Sequence, residues 1–99
     1  ELWEPKSTER VENALARLHR FAENVRNRKL IRIAGAIPLL CAIVKKADPA
    51  KPLSRSQSMA LECLALLAKN VLNREEIRKA GGLSPMVSFI HKKELKDQL

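Results

Sequence analysis

A shift of 46 residues aligns the chain with itself, and this internal repeat limits the possible folds more than any other feature. Residues 12–46 align without a gap, and twelve positions up to residue 35 are identical in the two copies. In the first copy these positions are Ala14, Leu15, Leu18, Ala22, Asn24, Val25, Asn27, Arg28, Ile31, Arg32, Ala34 and Gly35. Periods of roughly 20 to 50 residues are typical of proteins built from stacked repeat units. We therefore expect two copies of one structural unit.

Each copy predicts a long helix, a short helix and a third helix. The long helices follow Pro5 and Pro52 and begin at hydroxyl residues, which can cap the free backbone N–H groups of a first helical turn. The short helices stop at Gly35 and Gly81, because glycine adopts the left-handed conformation at no steric cost. The expected helices run from Ser7 or Thr8 to Asn24, from Asn27 to Ala34 and from Pro38 to Lys46, and then from Ser54 or Ser56 to Asn70, from Asn73 to Ala80 and from Ser84 to His91.

An apolar stripe along each long helix predicts the position of the core. Apolar residues recur at spacings of three and four, which places them on one helix face. The stripe comprises Val11, Leu15, Leu18 and Ala22 in the first copy, and Met59, Ala60, Leu64 and Leu67 in the second. Cys41 and Cys63 also lie in apolar surroundings, so we expect two buried thiols rather than a disulfide.

The segment NRKLIRIAGAIPLL at residues 27–40 and its counterpart NREEIRKAGGLSPM at residues 73–86 resemble the armadillo repeat. The shared features are an asparagine, an isoleucine and an Ala-Gly corner that precedes an apolar helix. The long-helix pattern of that family is similar to Ala60, Cys63, Leu64, Leu67 and Ala68. The resemblance covers roughly residues 8–93 and implies an all-α, right-handed solenoid of about two three-helix repeats.

On this basis the chain divides into five segments. We expect an N-terminal extension or cap at 1–7, armadillo repeat 1 at 8–46, a Pro-containing loop at 47–53, armadillo repeat 2 at 54–93, and the start of a further helix or a C-terminal cap at 94–99. Solenoids of this kind usually need about three or more repeats for stability. A fragment of a longer array is therefore expected; improvised caps that include Leu2 and Trp3, or self-association through an open end, are the alternatives.

In proteins similar to this one the long helices line a concave groove that binds extended peptides or partner proteins, so the resemblance implies a protein-binding scaffold. Residues that face such a groove should lie on the side of the long helix opposite the apolar stripe. These residues are Glu9, Glu12, Ala16, Arg20 and Asn24 in the first copy, and Arg55, Ser58, Glu62, Leu66 and Asn70 in the second. Arg20 and Arg55 would suit an acidic ligand, and Leu66 would suit an apolar one. The Trp and Asn that grip nuclear-localisation peptides in related proteins are absent from both copies, so we expect no nuclear-import receptor.

The charge distribution supports an alternative function. The net charge is +8, and residues 24–55 carry eight basic side chains against one acidic one. The expected basic patch comprises Arg26, Arg28, Lys29, Arg32, Lys45, Lys46 and Lys51, with Arg55 at its end. Such a patch attracts polyanions, and the alternative to peptide binding is therefore contact with a nucleic-acid phosphate backbone. With aromatics at only 3% of the chain, stacking on single-stranded bases is not expected.

The sequence predicts no enzyme. His19 and His91 occupy non-equivalent positions, and neither they nor the cysteines have the close paired spacing of a zinc site. We therefore expect no catalytic residue, no metal ligand and no cofactor. No apolar run approaches the roughly 20 residues that a membrane-spanning helix requires. The expected location is the cytoplasm, with cytoskeletal, ciliary or nuclear association left open.

Overall fold

The computed structural model describes the backbone of residues 5–98 and the side chains of residues 7–91. This part of the chain contains six helices and no strand, so the predicted all-α class is confirmed. The helices are α1 (Pro5–Ala22), α2 (Val25–Ile33), α3 (Ala36–Lys45), α4 (Arg55–Leu67), α5 (Val71–Lys79) and α6 (Leu83–Gln98). We call α1–α3 the first unit and α4–α6 the second unit. Each unit has a long, a short and a third helix in the predicted order.

The asparagine expected to end each long helix instead begins the next one. The Oδ1 of Asn24 accepts a 3.0 Å hydrogen bond from the backbone N–H of Arg26, and that of Asn70 accepts a 3.1 Å bond from Asn73. A side-chain oxygen at this position caps a helix N-terminus. As a result, α1 and α4 end two and three residues before these asparagines, and α2 and α5 begin two residues before the expected start.

Glycine forms the corner between the second and third helices, as predicted. The φ angles of Gly35 and Gly81 are +85° and +78°, in the left-handed region that other residues rarely adopt. The third helices start before the expected prolines, so Pro38 and Pro85 lie inside their first turns. Proline is tolerated there because first-turn amides have no partner within the helix.

The Pro-containing loop at 47–53 leads into a capped α4. The Oγ of Ser54 accepts a hydrogen bond from the backbone N–H of Gln57 at 3.1 Å, and Gln57 Oε1 accepts one from the N–H of Ser54 at 3.0 Å. This reciprocal pair is a capping box, which makes Ser54 the N-cap residue directly before the first residue of α4.

The chain ends only partly match the expected segments. α1 begins at Pro5, earlier than the predicted Ser7 or Thr8. Residues 94–98 continue α6, where a further helix or a cap was expected to begin. The caps expected from Leu2 and Trp3 lie outside the described residues.

The core lies where α4 packs against α1 and α3. Its fully or nearly buried apolar residues are Leu15, Ala22, Ile31, Ile37, Leu40, Cys41, Val44, Ala60, Leu61, Cys63, Leu64, Leu67 and Ile77. The predicted stripes belong to this core, except that Val11 is 43% exposed. Val11 is three residues from exposed Ala14, and residues three apart are neighbours on a helix surface, so it lies at the edge of the stripe. Both cysteines are buried free thiols, as predicted.

Candidate functional site

Arg28, a member of the predicted basic patch, lies inside the molecule. Its side chain is 7% exposed, and its Nε and Nη2 donate hydrogen bonds to the carbonyl oxygens of Ala22 at 2.8 Å and Glu23 at 3.2 Å. The last carbonyl groups of a helix have no partner within the helix, and here the guanidinium satisfies those at the end of α1. The expectation that Arg28 contributes to a polyanion-binding surface is therefore wrong.

The second unit repeats this arrangement. Arg74, the counterpart of Arg28, donates from Nε and Nη2 to the carbonyl oxygens of Ala68 and Lys69 at the end of α4. The sequence contained a signal for it, since arginine is identical at this position of both copies. An identity that recurs with the repeat points to a contact that each unit needs for its own fold.

Two more members of the patch connect the two units. The Nε of Arg32 donates a 2.8 Å hydrogen bond to Oδ1 of Asn73, and the Nζ of Lys45 donates a 3.0 Å bond to the carbonyl oxygen of Ala80. Asn73 is fully buried, and its Nδ2 also donates to the carbonyl oxygen of Arg28 at 3.2 Å. The exposed members of the patch that make none of these contacts are Arg26, Lys29, Lys46 and Lys51.

The predicted groove residues lie on α1, on α4 and just after them. Those that are exposed are Glu9, Ala16, Arg20, Asn24, Arg55 and Glu62, and those that are half-buried are Glu12, Ser58, Leu66 and Asn70. They were expected opposite the apolar stripe. Instead, Glu12 and Ser58 are half-buried at the edge of the packed face, and Leu66 contacts the core. These three residues therefore lie beside the apolar stripe rather than opposite it. Asn24 and Asn70 act as helix caps.

The exposed part of α4 is narrow. Arg55, Glu62 and Ala65 are its exposed residues, and every other residue of this helix is buried or half-buried. Two of the three belong to the predicted groove. Their counterparts in the repeat, Glu9 and Ala16, are exposed on α1, which packs against α4. The two long helices thus present equivalent positions to solvent; we call Glu9, Glu12, Ala16, Arg20, Arg55, Ser58, Glu62 and Leu66 the α1/α4 surface.

A cleft of about 520 Å³ lies near the end of α3, between the loop at 47–53 and α6. Its apolar lining includes Val44, Leu53, Leu61 and Phe89, and the side chain of His91 also borders it. Sequence reasoning missed this cleft because segments that are distant in the sequence, namely α3, the loop, α4 and α6, create it together.

The titratable groups with shifted pKa values in the described part of the chain are two buried cysteines and an exposed ion pair. Burial raises the pKa of the Cys41 thiol, and burial together with nearby Glu62 raises that of Cys63 to about 11. Reactive cysteines instead have lowered pKa values. The hydrogen bond from Arg78 lowers the pKa of Glu75, an exposed pair on α5. No cluster of three or more His, Cys, Asp or Glu residues that could hold a metal ion occurs within residues 7–91.

Exposed apolar side chains are numerous within residues 7–91. The large ones are Val11, Phe21, Val25, Leu30, Ile33, Leu39, Val71, Leu72, Leu83, Val87 and Ile90. Grouped apolar side chains on a protein surface mark interaction sites. In the described segment no helix has both the length and the apolar character needed to cross a bilayer.

These observations define an all-helical chain of two similar units whose described surface carries exposed apolar and charged side chains. Comparison with known proteins adds no further assignment, because no protein-family model, curated protein or solved structure matches the chain. The armadillo resemblance therefore rests on the residues quoted above and stays a prediction.

Proposed function

We propose that the protein is an armadillo-type interaction module that binds an extended segment of a partner protein along the α1/α4 surface. The observation that carries the proposal is the narrow exposed part of α4. Arg55 and Glu62 are two of the three exposed residues of this helix, and their counterparts on α1, Glu9 and Ala16, are exposed as well. A surface of equivalent positions on adjacent helices suits an extended ligand, whose residues also follow one another at a regular spacing.

The chemistry of this surface favours an acidic ligand with an apolar side chain. Arg20 and Arg55 supply positive charge, and guanidinium groups bind carboxylates through paired hydrogen bonds. Leu66 is half-buried against the core, so its side chain offers an apolar contact held in place by its neighbours. Glu62 lies on the same helix and would disfavour an acidic residue directly opposite it.

Binding of a nucleic-acid backbone is the alternative. It loses support because Arg28, Arg32 and Lys45 donate hydrogen bonds within the protein. Four exposed basic residues remain in the patch, and the test below includes this alternative as an outcome.

The experiment selects ligands from a displayed library of random peptides, with the nuclease-treated chain as the target. Affinities of the selected peptides are then measured for Arg20→Glu and for Arg17→Glu. Both arginines are exposed on α1, but Arg17 lies outside the α1/α4 surface, beside Ala14 and Phe21. We expect Arg20→Glu to weaken binding about tenfold or more, equivalent to about 1.4 kcal/mol, and Arg17→Glu to have little effect.

Two results would contradict the proposal. One is an equal loss of affinity in both variants, since this would show a response to net charge alone. The other is a failure to select any peptide while duplex DNA binds with an affinity that falls steeply with salt, by about 0.9 in log affinity per log unit of salt for each phosphate contacted. That second result would establish the basic patch as the functional surface.

A further inference from the structure

The cleft near the end of α3 has an apolar floor that belongs to the protein core. Val44 and Leu61 line the cleft and are only 1% and 4% exposed, so tight packing holds them in place. Leu53 from the loop and Phe89 from α6 are half-buried against the same core and extend the apolar lining to the walls. A ligand in the cleft would therefore rest on side chains that the fold already fixes.

Lys45 places a positive charge at the edge of the cleft. Its Nζ donates a 3.0 Å hydrogen bond to the carbonyl oxygen of Ala80. Its side chain runs past Gly81, where an added β-carbon would lie 3.5 Å from both Cδ and Nζ of the lysine. These contacts hold the ammonium group beside the corner between α5 and α6. An ammonium group has three N–H donors, and because the bond to Ala80 uses one of them, two can bind a ligand.

The wall formed by α6 carries hydroxyl groups. Ser84 and Ser88 both line the cleft and are exposed, and their spacing of four residues puts them on one face of the helix. α6 begins at Leu83, so Ser84 lies inside the first turn and is not the residue before the helix that would cap it. His91, three residues beyond Ser88, adds an imidazole ring to the same wall.

The fold of the repeated unit does not require these two serines. The shift of 46 residues places Ser84 on Pro38 and Ser88 on Ala42, whose side chains form no hydrogen bonds. The arginines that cover the ends of the long helices are, in contrast, identical in both units. A polar residue that only one unit has is not needed to build that unit, so the two hydroxyl groups are available for a ligand.

The charge of the cleft is complementary to an anion. Within the described residues, its lining includes Lys45 and His91 and no acidic side chain. Asp48 lies in the adjoining loop, but its Oδ1 accepts a 2.9 Å hydrogen bond from the backbone N–H of Ala50 and so binds its own loop. Charge-assisted hydrogen bonds from an ammonium group to a carboxylate are among the stronger hydrogen bonds in proteins. A ligand with one anionic end and an apolar remainder matches both parts of the lining.

The size of the cleft favours a small molecule over a partner protein. Its volume of about 520 Å³ lies within the range of roughly 300 to 1,000 Å³ that is typical of small-molecule sites. A specific protein interface, in contrast, covers about 800 Å² on each partner and would extend far beyond the cleft.

We propose that this cleft binds a small amphipathic carboxylate, a molecule with an apolar chain or ring and one carboxylate group. The carboxylate accepts hydrogen bonds from Nζ of Lys45 and from a serine hydroxyl of α6, and the apolar part lies on Val44 and Leu61. Residues of both units line the cleft, so the bound molecule contacts α3 and α6 together. The site shares no residue with the α1/α4 surface and does not rest on the function proposed for that surface.

The test is an NMR titration of the ¹⁵N-labelled full chain with octanoate, octylammonium and octanamide as probes. These probes have similar apolar chains and carry a negative charge, a positive charge and no charge. We expect octanoate to shift the amide signals of Ser84, Ser88 and Phe89 saturably, with an affinity about tenfold or more above that of the other two probes. The signals of Glu9 and Arg20 on the α1/α4 surface should not move.

Two pairs of variants locate the site. Lys45→Gln should weaken octanoate binding about tenfold or more, whereas Lys46→Gln should have little effect, because Lys46 is exposed but does not line the cleft. Ser88→Trp should fill the cleft and abolish binding, whereas Val87→Trp, at an exposed position outside the lining, should not. The spectrum of each variant without ligand reports whether the fold is retained. Ser88→Trp keeps the bond from Lys45 to Ala80, so the test stands even if Lys45→Gln does not fold.

Four results would overturn the proposal. Equal affinity for the three probes would show that only the apolar chain is bound. Absence of a saturable shift up to about 10 mM octanoate would show that the cleft is not a site for such ligands. Tighter binding of octyl phosphate than of octanoate would identify a phosphate as the anionic group. A dimer of the full chain in sedimentation velocity that Ser88→Trp dissociates would show that a second copy occupies the cleft.

Discussion

The Nε of Arg32 lies 2.8 Å from Oδ1 of Asn73, and this hydrogen bond joins the short helix of the first unit to that of the second. Asn73 has no solvent exposure and uses its Nδ2 to bind the carbonyl oxygen of Arg28 at 3.2 Å. The side-chain amide of Asn73 therefore bonds both the guanidinium of Arg32 and the backbone carbonyl of Arg28, two residues of α2. Its counterpart Asn27 is half-buried and binds the carbonyl oxygen of Phe21 within its own unit.

Replacement of this buried amide should destabilise the fold. We expect Asn73→Ala to lower the free energy of unfolding by about 2 to 3 kcal/mol, because it leaves buried hydrogen-bonding groups without a partner. The matched change Asn27→Ala should have an effect of about 1 kcal/mol. Urea denaturation followed by circular dichroism measures both. Equal losses in the two variants would show that the contact between the units has no special role.

The buried guanidinium of Arg28 gives a second prediction. Arg28→Ala removes two hydrogen bonds to the end of α1 and should cost about 2 kcal/mol of stability. Arg26 is exposed on the same helix, so Arg26→Ala should stay within about 0.5 kcal/mol of the unchanged protein. Thermal denaturation of the two variants provides the measurement. If both variants melt with the unchanged protein, the arginine is dispensable to the fold and belongs to a surface patch after all.

The sequence predicted the unit and its helices better than the roles of individual polar residues. The repeat identified two three-helix units, and Gly35 and Gly81 marked corners that the φ angles confirm. Composition could not separate Arg28 from Arg26, since both simply add positive charge. Only the packed structure shows that one of them covers the end of a helix whereas the other is exposed.

The sequence was equally unable to predict the roles of the polar residues in the candidate site. Asn24 and Asn70 matched groove positions, but each caps a short helix, a role that the identity of the two residues in the repeat could have indicated. The exposure of Leu83, Val87 and Ile90 on α6 was missed for another reason. In the sequence these apolar residues look like core residues, and only the structure shows that they are exposed.

The close approach of Gly82 to Cys41 predicts a steric effect. A β-carbon at residue 82 would lie 2.7 Å from Cys41 Sγ and 2.8 Å from Ile77 Cγ2, so Gly82→Ala should cost about 1 to 3 kcal/mol through overpacking. The cost should fall by about 0.5 kcal/mol or more in a Cys41→Ala background, because residues in contact are energetically coupled.

The control for this double-mutant cycle is Gly35→Ala. A β-carbon there meets no atom within 4 Å, so its cost comes from the positive φ angle and should be about 1 to 2 kcal/mol. Cys41→Ala should leave that cost unchanged. Additive effects of Gly82→Ala and Cys41→Ala would show that the two residues do not press on each other.

The buried thiol of Cys63 predicts a loss of stability at high pH. Burial, with a smaller contribution from Glu62, raises its pKa from 9.0 to about 11, and its Sγ donates a 3.7 Å hydrogen bond to the carbonyl oxygen of Leu15. The folded protein therefore holds this proton more tightly than the unfolded chain does. The stabilisation is fully present below pH 9 and is lost as the pH rises from 9 to 11, by about 1.4 kcal/mol per pH unit.

Urea denaturation at a series of pH values from 7 to 11 measures this dependence. The matched variant is Cys63→Ala, which should show a flatter decline above pH 9 because it lacks the thiol, whereas lysine titration affects both proteins alike. Cys41→Ala is a second comparison, since burial also raises the pKa of that thiol. Parallel curves for the unchanged protein and Cys63→Ala would mean that the thiol ionises as readily in the folded protein as in the unfolded chain.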